Sequence, residues 1–399
     1  MAILSLCKFT PKGHALRIAI FGFFQCLMGS VWALEGSTLF EGRLSKIFSY
    51  TTNQTPILFS SAQYFTVSDW TQVQDVSGKW QNLYQPKEGS NLALSKYQVE
   101  IGFLQGEWGF AYARRNDTVI EANRDALDLL YLQKNNLPIP QNTVYRPSIS
   151  ASNLTAQGPE IFKRFTLFEK EDARVLAALG VSYLTGGKIR QTQLLGQVQA
   201  TGGSTYALNI SNWSDIDSGK TYPFMRDGSP TGSGYAMDIA LHARWGKHHR
   251  AWLTVDDWQT KLQWKQVPST QATADSKTAN RDSNGFISYA PVIQGTNARL
   301  DTTQRIDPTT IVGYARDIGA TTLSAESMWI SGVAIPSAGI GYRVNDTLRL
   351  IAGRDFRFGT VTSGLAWNNL AISLYSNRLD FSGSKGYGVA LRYQIKLHN

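Results

Sequence analysis

The final segment of the chain, residues 387–397, alternates apolar and polar side chains with a period of two. Val389, Leu391, Tyr393, Ile395 and Leu397 fall on one side, and glycine, alanine and polar residues separate them. This alternation predicts a β-strand with one apolar and one polar face. Because the apolar face must contact either a protein core or lipid, the medium it contacts decides which fold the chain can adopt.

The same alternation recurs along the chain, so the last strand is one of many. Its clearest further examples are residues 97–103, 108–112, 235–245, 251–264, 348–352 and 370–374. In the fourth of these segments the phase slips by one residue at Asp256-Asp257, which predicts a β-bulge. We expect Trp258, Leu262 and Trp264 to continue the apolar face beyond that bulge.

The connections between these segments are of two kinds. Short ones carry residues that accept positive φ, and others are long and rich in Ser, Thr, Asn, Gly and Pro. Short turns at one end and long loops at the other are typical of an up-and-down transmembrane barrel, here with about 12 to 16 strands. The short turns are predicted at 185–187, 201–203, 246–247, 317–319 and 345–346, and the long loops at 135–159, 214–233 and 267–284.

Two other fold classes are less consistent with the sequence. After the N-terminal region no apolar run reaches the roughly 18 residues that a membrane-spanning helix needs. A propeller should show a repeat of fixed period, and none is present. Tryptophans at predicted strand ends, Trp245, Trp264, Trp329 and Trp367 among them, favour an interfacial girdle. We therefore predict an all-β, antiparallel up-and-down transmembrane barrel, with a soluble periplasmic β-protein as the alternative.

Residues 1–33 have the three parts of a secretory signal peptide. Lys8, Lys12 and Arg17 precede an apolar run at 18–28, and small residues precede a predicted cut after Ala33. The run is too short for a spanning anchor of about 20 residues. Removing this segment lowers the formal net charge from +9 to +6 and removes both cysteines of the chain. Disulfides and thiolate metal sites are then excluded, and without an arginine- or lysine-rich run no nucleic-acid partner is expected.

The remaining chain divides into two parts. Residues 95–399 form the predicted barrel. Residues 34–94 form an N-terminal segment that supplies the first strands, a periplasmic extension or a plug. Residues 118–133 are interpreted as a short helix or, alternatively, as a strand over 127–132, in a loop or in an inward plug.

The last strand, residues 388–395, resembles the C-terminal signal of Gram-negative outer-membrane β-barrel proteins. The signal is a glycine followed by alternating apolar residues that include an aromatic, here Gly388, Leu391, Tyr393 and Ile395. The resemblance departs at the terminus, where the family usually ends on an aromatic and this chain ends Leu397-His398-Asn399. It implies location in the cell outer membrane, with outer-membrane lipid and the barrel-assembly machinery as partners.

Charged residues on the polar faces are the main candidates for a functional site. In a water-filled lumen such residues set the field that selects ions. Alternatively, they form ion pairs across strands that only rigidify a closed barrel. The lumen-facing candidates are Glu100, Asp238, His242, Arg244, Arg349, Arg354, Arg392 and Lys396.

The sequence predicts no catalytic residues, no cofactor and no metal site. Phosphate loops, nucleophile elbows and zinc-protease motifs are absent. Asp238 and His242 share one face but lie about 13 Å apart along a strand, too far for a direct acid–base pair. An outer-membrane hydrolase is therefore only a minor alternative.

Two functions remain open from the sequence. The first is a porin-like channel or exporter for a hydrophilic solute that is not identified, with a weak anion preference from the basic excess. The second is a non-conducting structural or assembly barrel that anchors a surface or secretion system through its long loops.

Overall fold

The computed structural model describes residues 42–48, 55–76, 80, 84–202, 205–222, 228–276, 279–281, 287–289, 292–378 and 383–397. The predicted signal peptide and the last two residues lie outside this part of the chain. Within it, no helix is long and apolar enough to cross a membrane.

Antiparallel strands make up most of this structure. One helix, α1, spans Arg124–Lys134. The strands are β1 (Ile57–Ser68), β2 (Ser90–Gln105), β3 (Trp108–Asn123), β4 (Val144–Tyr145), β5 (Ser148–Lys170), β6 (Ala173–Gly202), β7 (Thr205–Asp217), β8 (Thr231–Trp245), β9 (His249–Asp275), β10 (Ala279–Arg281), β11 (Ile287–Tyr289), β12 (Ile293–Gln304), β13 (Thr309–Ile318), β14 (Thr321–Ile330), β15 (Val333–Arg343), β16 (Leu348–Asp355), β17 (Val361–Trp367), β18 (Leu370–Ser376) and β19 (Gly386–Lys396).

The strands close into an up-and-down barrel with fourteen positions around its wall. β1 closes the barrel because it pairs with β2 on one side and with β19 on the other. At three of these positions the wall strand consists of two consecutive segments that pair with the same neighbour: β4 and β5, β7 and β8, and β12 and β13. The fold class and strand number predicted from the alternation are confirmed. The wall begins at Ile57, within the N-terminal segment 34–94.

The two ends of the barrel differ in their connections. At the end that holds the start of β1 and the finish of β19, called the turn end, the connections are short. They are residues 106–107, 171–172, 246–248, 319–320, 344–347 and 368–369. The opposite end, called the loop end, carries the longer connections 69–89, 124–147, 218–230 and 276–292, although residues 331–332 make a tight turn there.

Some predicted connections lie in strands instead. The predicted turn at 185–187 is inside β6, which runs unbroken from Ala173 to Gly202. The long loops are shorter than expected, because β5 begins at Ser148 and β9 continues to Asp275. The glycine at 186 instead permits close packing, since a Cβ there would overlap the Trp264 ring.

The outward face of the wall is apolar through its middle. Large apolar side chains with more than a third of their surface exposed include Ile101, Phe110, Tyr112, Ile161, Val181, Val312, Leu323, Ile340, Leu350, Leu365 and Leu374. Their sequence neighbours point inward and are mostly buried. Trp245, Trp329 and Trp367 are also exposed on this face, as a girdle requires. Trp264 corrects the prediction: it points inward, 1 % exposed, and donates to Gln304 at 3.1 Å.

The predicted bulge in β9 is present, but it is larger than one residue. Met237 pairs with Gln259, whereas Ile239 pairs with Val255, so β9 carries two extra residues opposite Asp238. Asp257 adopts a left-handed φ of 60° there. Two extra residues restore the original phase, which is why Leu262 and Trp264 point inward rather than continuing the apolar outer face. Trp258 alone points outward as expected.

At the loop end, the β1–β2 loop and α1 cover part of the outward face. The side chain of Asn123 caps α1 by accepting from the backbone N–H of Ala126 at 3.0 Å. Tyr84 stacks on Tyr131 of α1 with ring centroids 4.4 Å apart, and its hydroxyl donates to Asp128 at 2.5 Å. Burial, and then this carboxylate, raise the pKa of the Tyr84 phenol, which therefore stays a neutral donor. The helical reading of residues 118–133 is thus confirmed for its second half.

Candidate functional site inside the barrel

A short N-terminal segment, Gly42–Phe48, lies inside the barrel toward its turn end; we call it the plug. Ser45–Phe48 forms a single 3-10 turn, in which the backbone N–H of Ile47 donates to Leu44 at 3.1 Å. Leu44 and Ile47 are almost completely buried and pack in one cluster with Phe59 and Phe162 of the wall. The interior at this level is therefore filled by the chain itself.

Arg43 anchors the plug to the β9 bulge. Its guanidinium donates to Asp257 at 2.7 Å and also bonds Asp238. Its backbone N–H points at both carboxylate oxygens of Asp256, at 3.0 and 3.1 Å. The bulge makes this possible, because it turns the consecutive residues Asp256 and Asp257 toward the lumen, where both are buried.

Arg115 of β3 holds the bulge from the opposite direction. Its two terminal nitrogens donate to the two oxygens of Asp257 at 2.8 and 2.6 Å, a bidentate pair. It also reaches Asp117 at 2.5 Å. The backbone N–H of Asp257 in turn donates to Asp238 at 2.7 Å. Two arginines from distant parts of the chain thus share one carboxylate.

A second ion pair joins the plug to β2. The Lys46 ammonium bonds Glu100, whose other oxygen accepts from the Ser61 hydroxyl at 2.8 Å. The ammonium also lies over the rings of Phe59 and Phe162, 4.9 and 5.2 Å from their centroids. Both members of the pair have about 4 % of their side-chain surface exposed. Removing one partner of such a buried pair costs about 3–5 kcal/mol, because the other charge stays buried.

Glu160 and Lys96 are two further buried charges at this level. Both carboxylate oxygens of Glu160 are buried without a hydrogen-bond partner in the described part of the chain. Lys96 reaches across the lumen and donates to the Thr309 hydroxyl at 2.6 Å. The middle of the barrel is thus a layer of buried charges rather than a water-facing surface.

Beside this layer, and beyond it toward the loop end, many inward residues are apolar. We call this set the inner apolar cluster; it joins β1 and β2 to β13, β14 and β15 across the lumen. Its members are Phe65, Val67, Leu92, Leu94, Trp252, Ile311, Ala315, Met328, Ile330, Val333, Ile335, Phe358 and Tyr375.

Several of the eight predicted lumen residues meet in this interior. Glu100 and Asp238 bind the plug, and His242 stacks on Phe48 with ring centroids 5.5 Å apart. Asp238 and His242 therefore each contact the plug, which is a different arrangement from a hydrolytic acid–base pair.

The other five are dispersed. Arg349 points inward and is buried beside Gly341. Arg392 lines a cavity of about 20 Å³ between β1, β18 and β19. Lys396 lies on the same face of β19 as Arg392, at the turn end. Arg244 is exposed at the turn-end mouth. Arg354 corrects the prediction: it is exposed on the outward face, because it shares the parity of Leu350 and Ala352 rather than that of Arg349.

The residues that dominate the site were not predicted as site residues from the sequence: Arg43, Lys46, Arg115, Asp256 and Asp257. A cation pair three residues apart in a short apolar stretch was the available signal for the plug. For Arg115 the signal was its place on the polar face of β3. Among the residues described, no three His, Cys, Asp or Glu side chains are placed to hold a metal ion.

Comparisons with known proteins give structural likeness only. No family model and no curated protein matches the chain. A deletion mutant of the monoaromatic hydrocarbon channel TodX is 9 % identical, with 92 % of this chain and 98 % of that chain covered, at a TM-score of 0.44. The toluene transporter TbuX of Ralstonia pickettii is 10 % identical, with 87 % and 90 % covered, at 0.42. A FadL homologue of Pseudomonas aeruginosa is 10 % identical, with 93 % and 100 % covered, at 0.38.

Because these TM-scores are low, the architecture of this chain is assigned from its own strand pairings. Those pairings define the class: a closed, antiparallel, fourteen-strand barrel with its interior filled.

Proposed function

We propose that this protein is an outer-membrane channel for a small apolar solute and that the plug holds it shut in this structure. The observation that carries the proposal is the layering of the interior. A docked plug and its buried charges fill the middle of the lumen, and an apolar cluster lies beside them and extends toward the loop end.

Membrane placement is supported by the outward face. A transmembrane β-strand needs about 9–11 residues, and β13, β14 and β15 have 10, 10 and 11. Each of them presents exposed apolar residues outward, such as Val312, Leu323 and Ile340. In a soluble protein such a belt would be a large exposed apolar surface. Export through residues 1–33 and assembly through β19 are part of the same proposal.

A gate is supported by the composition of the plug contacts. A segment that only filled a barrel would be held most simply by apolar packing, as Leu44 and Ile47 are. Arg43 and Lys46 instead dock through buried ion pairs, which are costly to form and can be exchanged for water when the segment leaves. Release of the plug would expose the carboxylates that now hold it.

An apolar solute is supported by the inner apolar cluster. A hydrophilic solute, as expected from the sequence, would need polar groups along its path. Toward the loop end the inward residues instead include Phe65, Leu94, Ile330 and Val333. The polar residues expected to line the lumen, such as Glu100 and Asp238, bond the plug.

A non-conducting structural barrel is the second candidate. The inner apolar cluster favours it, because side chains of β1, β2 and β13–β15 belong to one buried cluster. In that case the ion pairs would serve only stability.

Uptake by cells with an intact outer membrane separates these functions. Cells that express the protein, its Arg43→Ala variant or neither are given radiolabelled toluene or a labelled sugar of similar size. The proposal predicts faster toluene uptake than in cells without the protein, a further increase with Arg43→Ala, and unchanged sugar uptake. Faster sugar uptake alone would restore the hydrophilic channel, and no change with either solute would support the non-conducting barrel.

A further inference from the structure

A large groove lies on the outward face of the wall near the loop end; we call it the outer groove. It has a volume of about 650 Å³. Its floor is formed by β1, β2, β3, β5 and β6, and residues 73–76 of the β1–β2 loop form its upper edge. A volume of this size matches a drug-sized molecule rather than a single small ion.

The strand register shows that this groove faces away from the lumen. Tyr64, Tyr97, Asn116, Thr155 and Lys188 lie side by side in one row across the five strands. The next residues along β2 and β3, Lys96 and Arg115, point into the lumen and make contacts there. Since side chains alternate along a strand, the row must face outward.

Three cations border the groove. Arg114 and Lys188 are exposed, and neither has a hydrogen-bond or ion-pair partner among the residues that the structure describes. Arg190 is held at its edge by Asp217 and Asp215, at 3.6 and 3.8 Å. Two unpartnered positive charges beside a cavity create a site for an anion. An arginine suits phosphate especially, because its planar fork binds two oxygens at once.

Part of the floor beside these cations is polar and fixed, whereas Val73, Val76 and Ile120 make the upper part apolar. The Asn153 amide donates to Asn116 at 3.0 Å and to the Thr118 hydroxyl at 2.6 Å. The Tyr64 and Tyr387 rings lie 5.9 Å apart at the side toward β19. Hydroxyl and amide groups of this kind bind sugars and phosphate oxygens.

Directly below the groove, toward the turn end, the same strands carry the apolar belt. Ile101, Tyr112, Ile161 and Val181 are each more than 40 % exposed there. A ligand that filled the groove would thus have a polar, cationic site for its head and a hydrocarbon-facing wall for its tail. Neither a free anion nor an acidic peptide would use both parts.

We propose that the outer groove binds a membrane lipid with a phosphorylated, sugar-sized headgroup in the leaflet at the loop end. The phosphate lies between Arg114 and Lys188, the rest of the headgroup lies on the Asn116–Thr155 floor, and the acyl chains lie along the apolar belt. This inference rests on the membrane placement proposed above, and it is independent of transport and of the solute.

Native mass spectrometry of the full barrel in a nonionic detergent tests the site. The folded protein is titrated with lipid A, a phosphorylated disaccharide lipid, with phosphatidylcholine, or with inorganic phosphate. The variants are R114Q/K188Q and, as a matched control, R354Q. Arg354 is an exposed outward cation near the same end, on β16 and away from the groove. Heat-modifiable migration on a gel verifies that each variant is folded, and membrane fractionation of cells tests the placement separately.

The expected result is one lipid A bound per barrel, at least about tenfold weaker binding by R114Q/K188Q, and unchanged binding by R354Q. A tenfold change corresponds to the loss of about one charge-assisted hydrogen bond. Equal binding by wild type and R114Q/K188Q would overturn the site, as would an equal loss in R354Q, which indicates general charge attraction. Complete displacement by inorganic phosphate would also overturn it in favour of a soluble anion. A folded barrel that binds lipid but is absent from the membrane fraction would refute the placement alone.

Discussion

Replacing Arg43 with alanine should release the plug. The change removes the guanidinium bonds to Asp257 and Asp238 and leaves both carboxylates buried with less compensation. Breaking a buried pair in this way costs about 3–5 kcal/mol. If that cost falls on the docked state, the released fraction rises by at least about 100-fold, because each 1.4 kcal/mol is a factor of ten.

A buried cysteine in the plug measures this release. Both natural cysteines, Cys7 and Cys26, precede the described residues and lie in the predicted signal peptide. A Leu44→Cys reporter would therefore be the only thiol of the mature chain, and Leu44 is fully buried. Its rate of labelling by a water-soluble maleimide follows the released population when docking is fast. The Leu44→Cys reporter is present with and without Arg43→Ala, so the ratio of the two labelling rates measures the effect of Arg43 alone.

Arg354→Ala in the same background is the control, since Arg354 is an exposed cation outside the lumen. Its labelling rate should match that of the reporter alone within about twofold, as for other exposed sites. A rate for Arg43→Ala equal to that of the reporter alone would refute the reasoning, because it would mean that apolar packing alone holds the plug.

Three further substitutions test other contacts. Asp257→Ala removes one carboxylate partner from each of Arg43 and Arg115, which keep Asp238 and Asp117. Urea unfolding of the detergent-folded barrel should therefore show a loss of about 3 kcal/mol, the lower end for a broken buried pair. A loss below about 1 kcal/mol would show that the Asp257 contacts add little to stability. Asp355 accepts hydrogen bonds from the backbone N–H groups of Arg357, Phe358 and Thr360. Asp355→Ala should therefore speed proteolysis at residues 356–360, whereas the control Asp346→Ala should not. Equal cleavage rates in the two variants would show that Asp355 does not hold this loop. Tyr84→Phe removes only the hydrogen bond to Asp128 and should weaken the packing of the β1–β2 loop on α1 by about 1 kcal/mol. Hydrogen exchange of the α1 amides measures this change. Unchanged protection would show that ring stacking alone holds the loop on α1.

The barrel itself was predictable because its signal is local. Alternation with a period of two is present within single strands such as β19 and β3, and a strand pairs with the next one along the chain. Arg354 was assigned to the wrong face although its own parity with Leu350 was visible. A charge on the outward face is tolerated there because it lies at the loop end of β16, beyond the apolar belt.

The interior was not predictable in the same way. Arg43 meets Asp238 and Asp257 across 195 and 214 residues of chain, and no local pattern encodes such a contact. The place of the bulge at Asp256-Asp257 was predicted, but not its two-residue length, which keeps the inward parity unchanged and depends on pairing with β8. Inward apolar residues such as Ile311 and Met328 also follow the same alternation whether they line a passage or fill a core.

Single-channel recording in planar bilayers tests most directly whether the plug closes a passage. Wild-type barrels whose insertion is verified by heat-modifiable migration should give little or no ion conductance, whereas Arg43→Ala/Lys46→Ala barrels should show discrete opening steps. A steady, open conductance in the wild type would contradict the closed state. Silence in the folded double variant would contradict the gate and leave a barrel that does not conduct.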